Sequence, residues 1–516
     1  MKPIRLMRGF LTVGAWTLLS RIAGFARDVQ TASFLGTGPV AEAFLVAFSL
    51  PNMFRRFFAE GAFNTAFVPI FSKKLESDDD ADAHRFAEDA FTGLALVVAV
   101  FSVFAMIGMR WLVLAMASGF AGDERLELAI QYGNICFPYI FFISLTALLS
   151  GLLNAGGRFA AAAGAPVMLN IVFLVAMALA YRLGWDMGLT LAWSTPLIGF
   201  LQLAIVWIAA ARMGYPLRFR RPRFTTDLRR LVMIAGPSVL AGGVVQVNLL
   251  VGRQVGSHFE GAIAWLNYAD RLYQLPLGVV GIAIGIVLLP DISRRLKAED
   301  IAGSRYALSR ATEFALFLTV PAAVALMVIP VPLISVLFER GEFTAADTIP
   351  TALTLAVYGA GLPAFVMQKV LQPLYFARED TRTPFRFAIH SMIVNVALAV
   401  GLMYPLGFIA AALGTTISGW TMMLQLWWGS RKMGEAARAD DRLRSRLPRI
   451  VLASALMGAG LWWLEGQMHD MLQPTGHRYI GLLLLCTAGF ALYLALAALV
   501  GAFRVSDFRA SFRRSA

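Results

Sequence analysis

The sequence predicts an all-α polytopic membrane protein, and three observations carry the prediction. Of 516 residues, 58% are hydrophobic and only 15% are charged, with a mean hydropathy of +0.67. That leaves too few polar residues to clothe a water-soluble chain of this length. Apolar windows of about 20 residues, the length that crosses a hydrocarbon core as a helix, follow one another almost end to end. These windows are continuous and lack the ~10-residue alternation of barrel strands.

The windows fall roughly at 9–33, 39–66, 88–112, 127–153, 161–182, 188–211, 230–255, 263–289, 308–337, 347–376, 385–404, 406–429, 449–468 and 479–503, which predicts fourteen transmembrane helices. The opening MKPIRLMRGF runs into the first window with no small-residue cleavage site, so it reads as a retained helix and not a removed signal. An even count puts both termini on one side. Of the 45 Lys and Arg, the termini and even-numbered connections hold 33, including the runs Arg212–Arg230 and Arg431–Arg449. The odd-numbered connections hold five: Arg110, Arg125, Arg182, Arg340 and Arg478. The positive-inside rule then predicts that both termini are cytoplasmic. It also explains the net charge of +13: the basic groups face anionic headgroups, and no nucleic-acid partner is expected. The acidic run ESDDDADAH (76–84) reads as a solvated cytoplasmic connection.

Residues 67–75, FVPIFSKKL, resemble 288–296, LLPDISRRL, and ARMGYP at 211–216 resembles SRKMGEA at 430–436. Between them, Asn170 and Asn395 each open an apolar run. Spans 1–6 and 7–12 therefore read as two copies of one six-helix unit, with two helices appended. The expected domains are a lobe at 1–215, a second at 216–435, and a third segment at 436–516 carrying two further spans and a cytoplasmic tail. Two parallel repeats with a site near mid-membrane are transporter architecture, and rocking of the halves gives alternating access.

Seven basic residues remain inside the spans: Arg21, Arg27, Arg55, Arg56, Arg253, Arg271 and Lys369. Each costs roughly 2.5–3.5 kcal/mol to insert, so each should pair, snorkel or line a wet cavity. Asn52, Arg56 and Glu60 share one helix face, so Glu60 braces Arg56, while Arg55 points about 100° away. Arg21 and Asp28, seven apart, share a face in span 1, which leaves Arg27 over, and Gly24 between them loosens the helix. In span 8, Asn267, Arg271 and Gln274 share a face, and Asp270 does not face Arg271. Arginine matches phosphate oxygens in a fixed fork and keeps its charge. A cavity rich in such groups suits a phosphate or pyrophosphate.

Cys136 and Cys486 give no disulfide framework, and the five histidines lack metal-ligand spacing, so no metal site is expected. No GxxxxGK phosphate loop is present. The short outer connections GTGPV, GSHFEG and YPLG leave little room for a membrane enzyme's catalytic loops.

The segments SRIAGFARD, LPNMFRRFFAEGAFNTAFVP and YADRLYQLPLGVVGIAIGIVLLP resemble the signature segments of the MurJ (MviN) lipid II flippases, in the multidrug/oligosaccharidyl-lipid/polysaccharide exporter superfamily. The resemblance covers essentially the whole chain. It implies movement of an undecaprenyl-pyrophosphate-linked peptidoglycan precursor, lipid II, from the cytoplasmic to the outer leaflet of a bacterial plasma membrane. It further implies no enzymatic chemistry, no cofactor, and the cell-wall synthesis machinery as a candidate partner. The substrate-binding cavity maps by resemblance onto Arg21, Arg27, Arg55 and Arg271. Asp28, Glu60 and Asp270 are the matching acids, with Glu42, Asn52 and Arg56 in supporting or gating roles. The last two spans are expected to help form a groove for the polyprenyl tail. Two departures stand out: Glu42 replaces the family's aspartate, and Gln274 stands where some relatives carry an acid. Membrane potential, a monovalent cation gradient and product removal outside all stay open as the drive. The alternative reading is a flippase of another lipid-linked oligosaccharide, or a drug exporter, of the same superfamily. Drug exporters commonly favour cations, which fit an arginine-rich cavity poorly.

Overall fold

The structure, a computed structural model, describes residues 3–55, 62–76, 80–221, 225–474 and 476–502. Among them the sole β pairing is an isolated bridge between Arg340 and Phe343. Met1–Ala264 with Arg340–Phe343 form one compact unit, and Trp265–Glu339 with Thr344–Ala516 form another.

The first unit holds α1 (Pro3–Leu35), α2 (Pro39–Arg55), α3 (Ala62–Glu76), α4 (Asp80–Ile107), α5 (Met109–Met116), α6 (Glu124–Cys136), α7 (Tyr139–Ala155), α8 (Phe159–Leu183), α9 (Met187–Arg212) and α10 (Thr226–Ser257). The second holds most of α11 (Ala262–Lys297), then α12 (Ile301–Val328), α13 (Pro330–Phe338), α14 (Ala345–Phe376), α15 (Arg382–Gly401), α16 (Met403–Leu406), α17 (Ile409–Ser430), α18 (Asp441–Gln467), α19 (His469–Leu472) and α20 (Arg478–Leu499). Every predicted window lies mostly on helix where its residues are described. Nine of the described helical stretches are long and apolar enough to cross a membrane by length and composition.

Side-chain caps start several of these helices, where the first N–H groups have no partner within the helix. Asp186 accepts from Leu189 N at 2.6 Å, Asp300 from Gly303 N at 2.7 Å, and Asp440 from Leu443 N at 2.7 Å. Thr344 and Asp347 form a reciprocal capping box at α14. Gly184 ends α8 in the left-handed region, at φ +68°.

Several windows predicted as single helices are broken. The 88–112 window splits at Gly108, a poor helix former. The 127–153 and 308–337 windows break at Pro138 and before Pro330, because proline donates no backbone N–H and its ring crowds the preceding turn. The 385–404 window breaks at Leu402.

The first unit's core is aromatic. Phe67 stacks on Phe71 and Phe86 at 5.4 and 5.5 Å, and Tyr132, Tyr139 and Phe137 are fully buried. In the second unit α18 and α20 pack beside α12, burying Ile450, Met457, Leu461 and Leu485. The Tyr493 hydroxyl donates to the Phe317 carbonyl at 2.8 Å, tying α20 to α12. Outside these cores, Phe104, Ile107, Trp111, Trp428, Trp462 and Leu499 are 69–82% exposed. Such a surface suits hydrocarbon and not water.

Candidate functional site

α1 positions Arg21, Arg27 and Asp28. It runs unbroken through Gly24, so this glycine does not loosen the helix. A Cβ at Gly24 would lie 3.6 Å from the Asn170 amide of α8, and that amide donates to the Ser20 carbonyl at 3.0 Å. The expected Arg21–Asp28 pair does not form. Asp28 instead takes the Arg27 guanidinium, with Nη2 at 2.6 Å and Nε at 3.1 Å. Seven residues of helix rise about 10 Å, too far for a short aspartate, whereas a long arginine folds back onto its neighbour. Arg21 is exposed and makes no ion pair among the described residues.

α2 positions Glu42, Asn52 and Arg55. Asn52 donates to the Phe48 carbonyl at 2.8 Å, one turn back beside Pro51, so its amide serves its own helix. Arg55 is half-buried at the last described turn. Arg56 and Glu60, the expected brace, lie outside the described residues.

Glu42 is fully buried, and its partners come from elsewhere in the chain. Arg125 Nη1 lies 2.7 Å from Oε2, and the Ile263 backbone N–H donates to Oε1 at 3.0 Å. Arg125 also binds Asp123 through Nε at 2.6 Å and stands over the Phe120 ring at 4.6 Å. Sequence reasoning had placed Arg125 in a connection; it is buried in the first turn of α6. Asp123 is the N-cap of this helix and accepts from Arg125 N at 3.1 Å. Burial pushes the Asp123 carboxyl up, but the Arg125 N–H and guanidinium outweigh it and hold it below the usual carboxylate range. Nearby in this unit, Gln254 accepts from the Ser118 hydroxyl at 2.6 Å, and Gly119 N donates to Ser257 at 2.9 Å.

α11 positions Asp270, Arg271 and Gln274. Arg271 is half-buried. Gln274, one turn along the helix from Arg271, bonds the Asp270 carboxylate through its amide.

Two ion clusters were not anticipated. The acidic run expected to be a solvated loop is part of α4 from Asp80 onward, and Ala83 within it is fully buried. Asp82 and Asp227 both hold Lys74. Burial pulls the Lys74 ammonium down, and these two carboxylates more than offset it, so it is held above the usual lysine range. In the second unit, Arg310, Arg442 and Arg446 converge on Glu313, and Arg310 also binds Asp440. Glu313 and Arg446 are buried, so this cluster rivets α12 to α18.

Arg21 and Arg27 on α1 and Arg55 on α2 belong to the first unit, and Arg271 on α11 belongs to the second. A guanidinium suits an anion with several oxygens, because it offers paired N–H groups.

A family profile described as lipid II flippase MurJ matches residues 31–479. A probable lipid II flippase MurJ of Rhizobium meliloti (strain 1021) is 43% identical over 99% of this chain and 97% of its own length. A solved lipid II flippase MurJ in an inward closed conformation superposes with a TM-score of 0.78 at 25% identity, covering 95% of this chain and 98% of that one. An inward-facing multidrug resistance MATE family transporter of the MOP superfamily shares the fold, with a TM-score of 0.64 at 15% identity over 81% of this chain and 95% of that one. The chain belongs to the lipid II flippase MurJ family.

Proposed function

We propose that this protein is a multi-pass bacterial inner-membrane flippase that moves lipid II from the cytoplasmic to the outer leaflet by alternating access. The observation that carries the reading is the family match across residues 31–479, joined to arginines at 21, 27, 55 and 271 on otherwise apolar helices. Fourteen spans with both termini cytoplasmic complete the topology, as two six-helix lobes (1–215 and 216–435) and an appended pair of helices within 436–516.

In this reading Arg21, Arg27, Arg55 and Arg271 hold the pyrophosphate while the polyprenyl tail stays in lipid. Asp28 and Asp270 orient or release these arginines, Glu42 and Asn52 hold α2, and Arg56 with Glu60 brace its continuation. No bond is made or broken, so the protein is a transporter and not an enzyme. It needs no cofactor; membrane potential supplies roughly 2.3 kcal/mol per charge per 100 mV and favours return of an empty cationic cavity to the cytoplasmic side. The cell-wall synthesis machinery is the partner that consumes the product.

Reconstitution into vesicles tests the substrate. Lipid II is expected to become accessible to an outer-leaflet probe only when the protein is present. Movement of another lipid-linked glycan, with lipid II left behind, would contradict the assignment while leaving the fold argument intact. A rate indifferent to collapse of the potential would rule out the proposed drive.

A further inference from the structure

The first unit carries a groove of about 360 Å³ between α7 and α9, lined wholly by apolar side chains. This volume lies within the range of small-ligand sites, roughly 300–1,000 Å³. Leu145, Leu203 and Ala204 floor it, and Phe142, Phe200 and Ile208 wall it. Phe200, Ala204 and Ile208 follow one another at four-residue spacing on one face of α9, so the small side chain in the middle creates the hollow.

The same line reaches Arg212 four residues later, where α9 ends, and Arg212 is exposed. Beyond it, an extended segment is pinned along α4. Arg218 N donates to Glu88 at 3.2 Å, and Arg220 N donates to Thr92 at 3.1 Å; the Arg220 guanidinium also binds Glu88. The backbone N–H groups of alternate residues of this segment thus face α4. Phe219, between them, lies against Phe91 of α4 with ring centroids 5.1 Å apart and the rings tilted, and closes the end of the groove beside Trp207. Arg221 is two residues further on, the same-side spacing of an extended chain, and is exposed. Two exposed guanidiniums therefore stand at one end of a built apolar groove.

We propose that the groove between α7 and α9 holds an acyl chain of an anionic phospholipid whose phosphate rests on Arg212 and Arg221, on the face that the positive-inside count assigns to the cytoplasm. Basic groups at the cytoplasmic end of a cleft between membrane helices are the arrangement that recognises anionic headgroups. The pinned segment makes the site part of the fold, distinct from the passing contact of bulk lipid. It is also separate from the arginines assigned to transport.

The test follows thermal unfolding of the purified full chain in detergent, titrated with dioleoylphosphatidylglycerol, dioleoylphosphatidylcholine or inorganic phosphate. A ligand that binds the folded state alone raises the midpoint saturably. Phosphatidylglycerol is expected to do so, and phosphatidylcholine and phosphate are not. The double variant Arg212→Gln/Arg221→Gln should weaken the apparent affinity roughly 25-fold, about fivefold for each guanidinium near an anionic headgroup. Ala204→Phe, which fills the hollow, should abolish the response; if that variant unfolds, the arginine pair decides alone. A phosphatidylglycerol response equal in wild type and both variants would overturn the proposal. So would an equal response to phosphatidylcholine, or one reproduced by phosphate alone.

Discussion

Arg125 and Arg27 each hold a carboxylate within ion-pair distance, yet the two pairs are built differently. Arg125 and Glu42 join α6 to α2, with side chains 7% and 0% exposed. The arginine also takes Asp123, and the other oxygen of Glu42 takes the Ile263 N–H. Both oxygens of Glu42, and two nitrogens of the guanidinium, are thus held by fixed protein groups. Arg27 and Asp28 are neighbours on one helix, 15% and 14% exposed, and they can part without moving any helix. An arginine clamped between helices holds the fold; an arginine held by its neighbour can exchange a carboxylate for a phosphate. Arg21, exposed and without an ion pair among the described residues, extends the second class, and the Glu313 cluster extends the first.

The largest expected effect falls on the clamped class. Glu42→Ala strands a buried guanidinium, and Glu313→Ala strands several. Each should destabilise the protein by about 3–5 kcal/mol, read from unfolding in detergent. A loss below about 1 kcal/mol for either would break the distinction. Next comes the exchangeable class. Arg27→Ala and Arg21→Ala should each lower lipid II translocation by roughly 10- to 100-fold, the worth of one charged hydrogen bond of about 1.5–3 kcal/mol, with stability changed by no more than about 1 kcal/mol. Unfolding on the scale of Glu42→Ala would move these arginines into the clamped class. Glu42→Asp sharpens the comparison, because a shorter carboxylate cannot reach both Arg125 and Ile263 N without movement. It should cost about 1 kcal/mol, and a neutral result would mean that α2 shifts to follow.

How far the sequence carries depends on whether a feature is local. Helix positions were legible throughout, because hydrophobic length is a local property and the bilayer fixes it. α9 and α14 match their windows to within two residues at each end. The breaks at Pro138 and before Pro330 are marked in the sequence by the prolines themselves, within windows whose apolar length alone predicts one helix. Ion pairing was the least legible. Helical geometry paired Arg21 with Asp28, whereas side-chain reach chose Arg27. Glu42 found Arg125, 83 residues away, and Glu313 found Arg446, 133 residues away; helix periodicity within one span cannot see either. Arg21, Arg27, Arg55 and Arg271 lie on helices α1, α2 and α11, as their windows predict, but the partners of such charges are set by tertiary packing.

The smallest effect concerns pH and lies outside the spans. The side chain of Thr383 bonds Asp380, and its backbone N–H donates to the same carboxyl at 3.0 Å, so the Asp380 carboxyl sits below the usual range. A folded-state value below the unfolded one stabilises the protein above the unfolded pKa, and this contribution is lost as pH falls through the folded value. Stability should therefore decline on acidification below about pH 4, and Asp380→Asn should flatten that decline slightly while leaving translocation unchanged. An identical acid profile in the variant would remove Asp380 from the account.

The most direct test of the central claim is lipid II translocation by reconstituted wild type and Arg55→Ala, both first shown to unfold at the same midpoint. The account predicts that the wild type moves lipid II and that the variant, still folded, largely fails. Equal rates would contradict it and would return Arg55 to the arginines that only hold the fold.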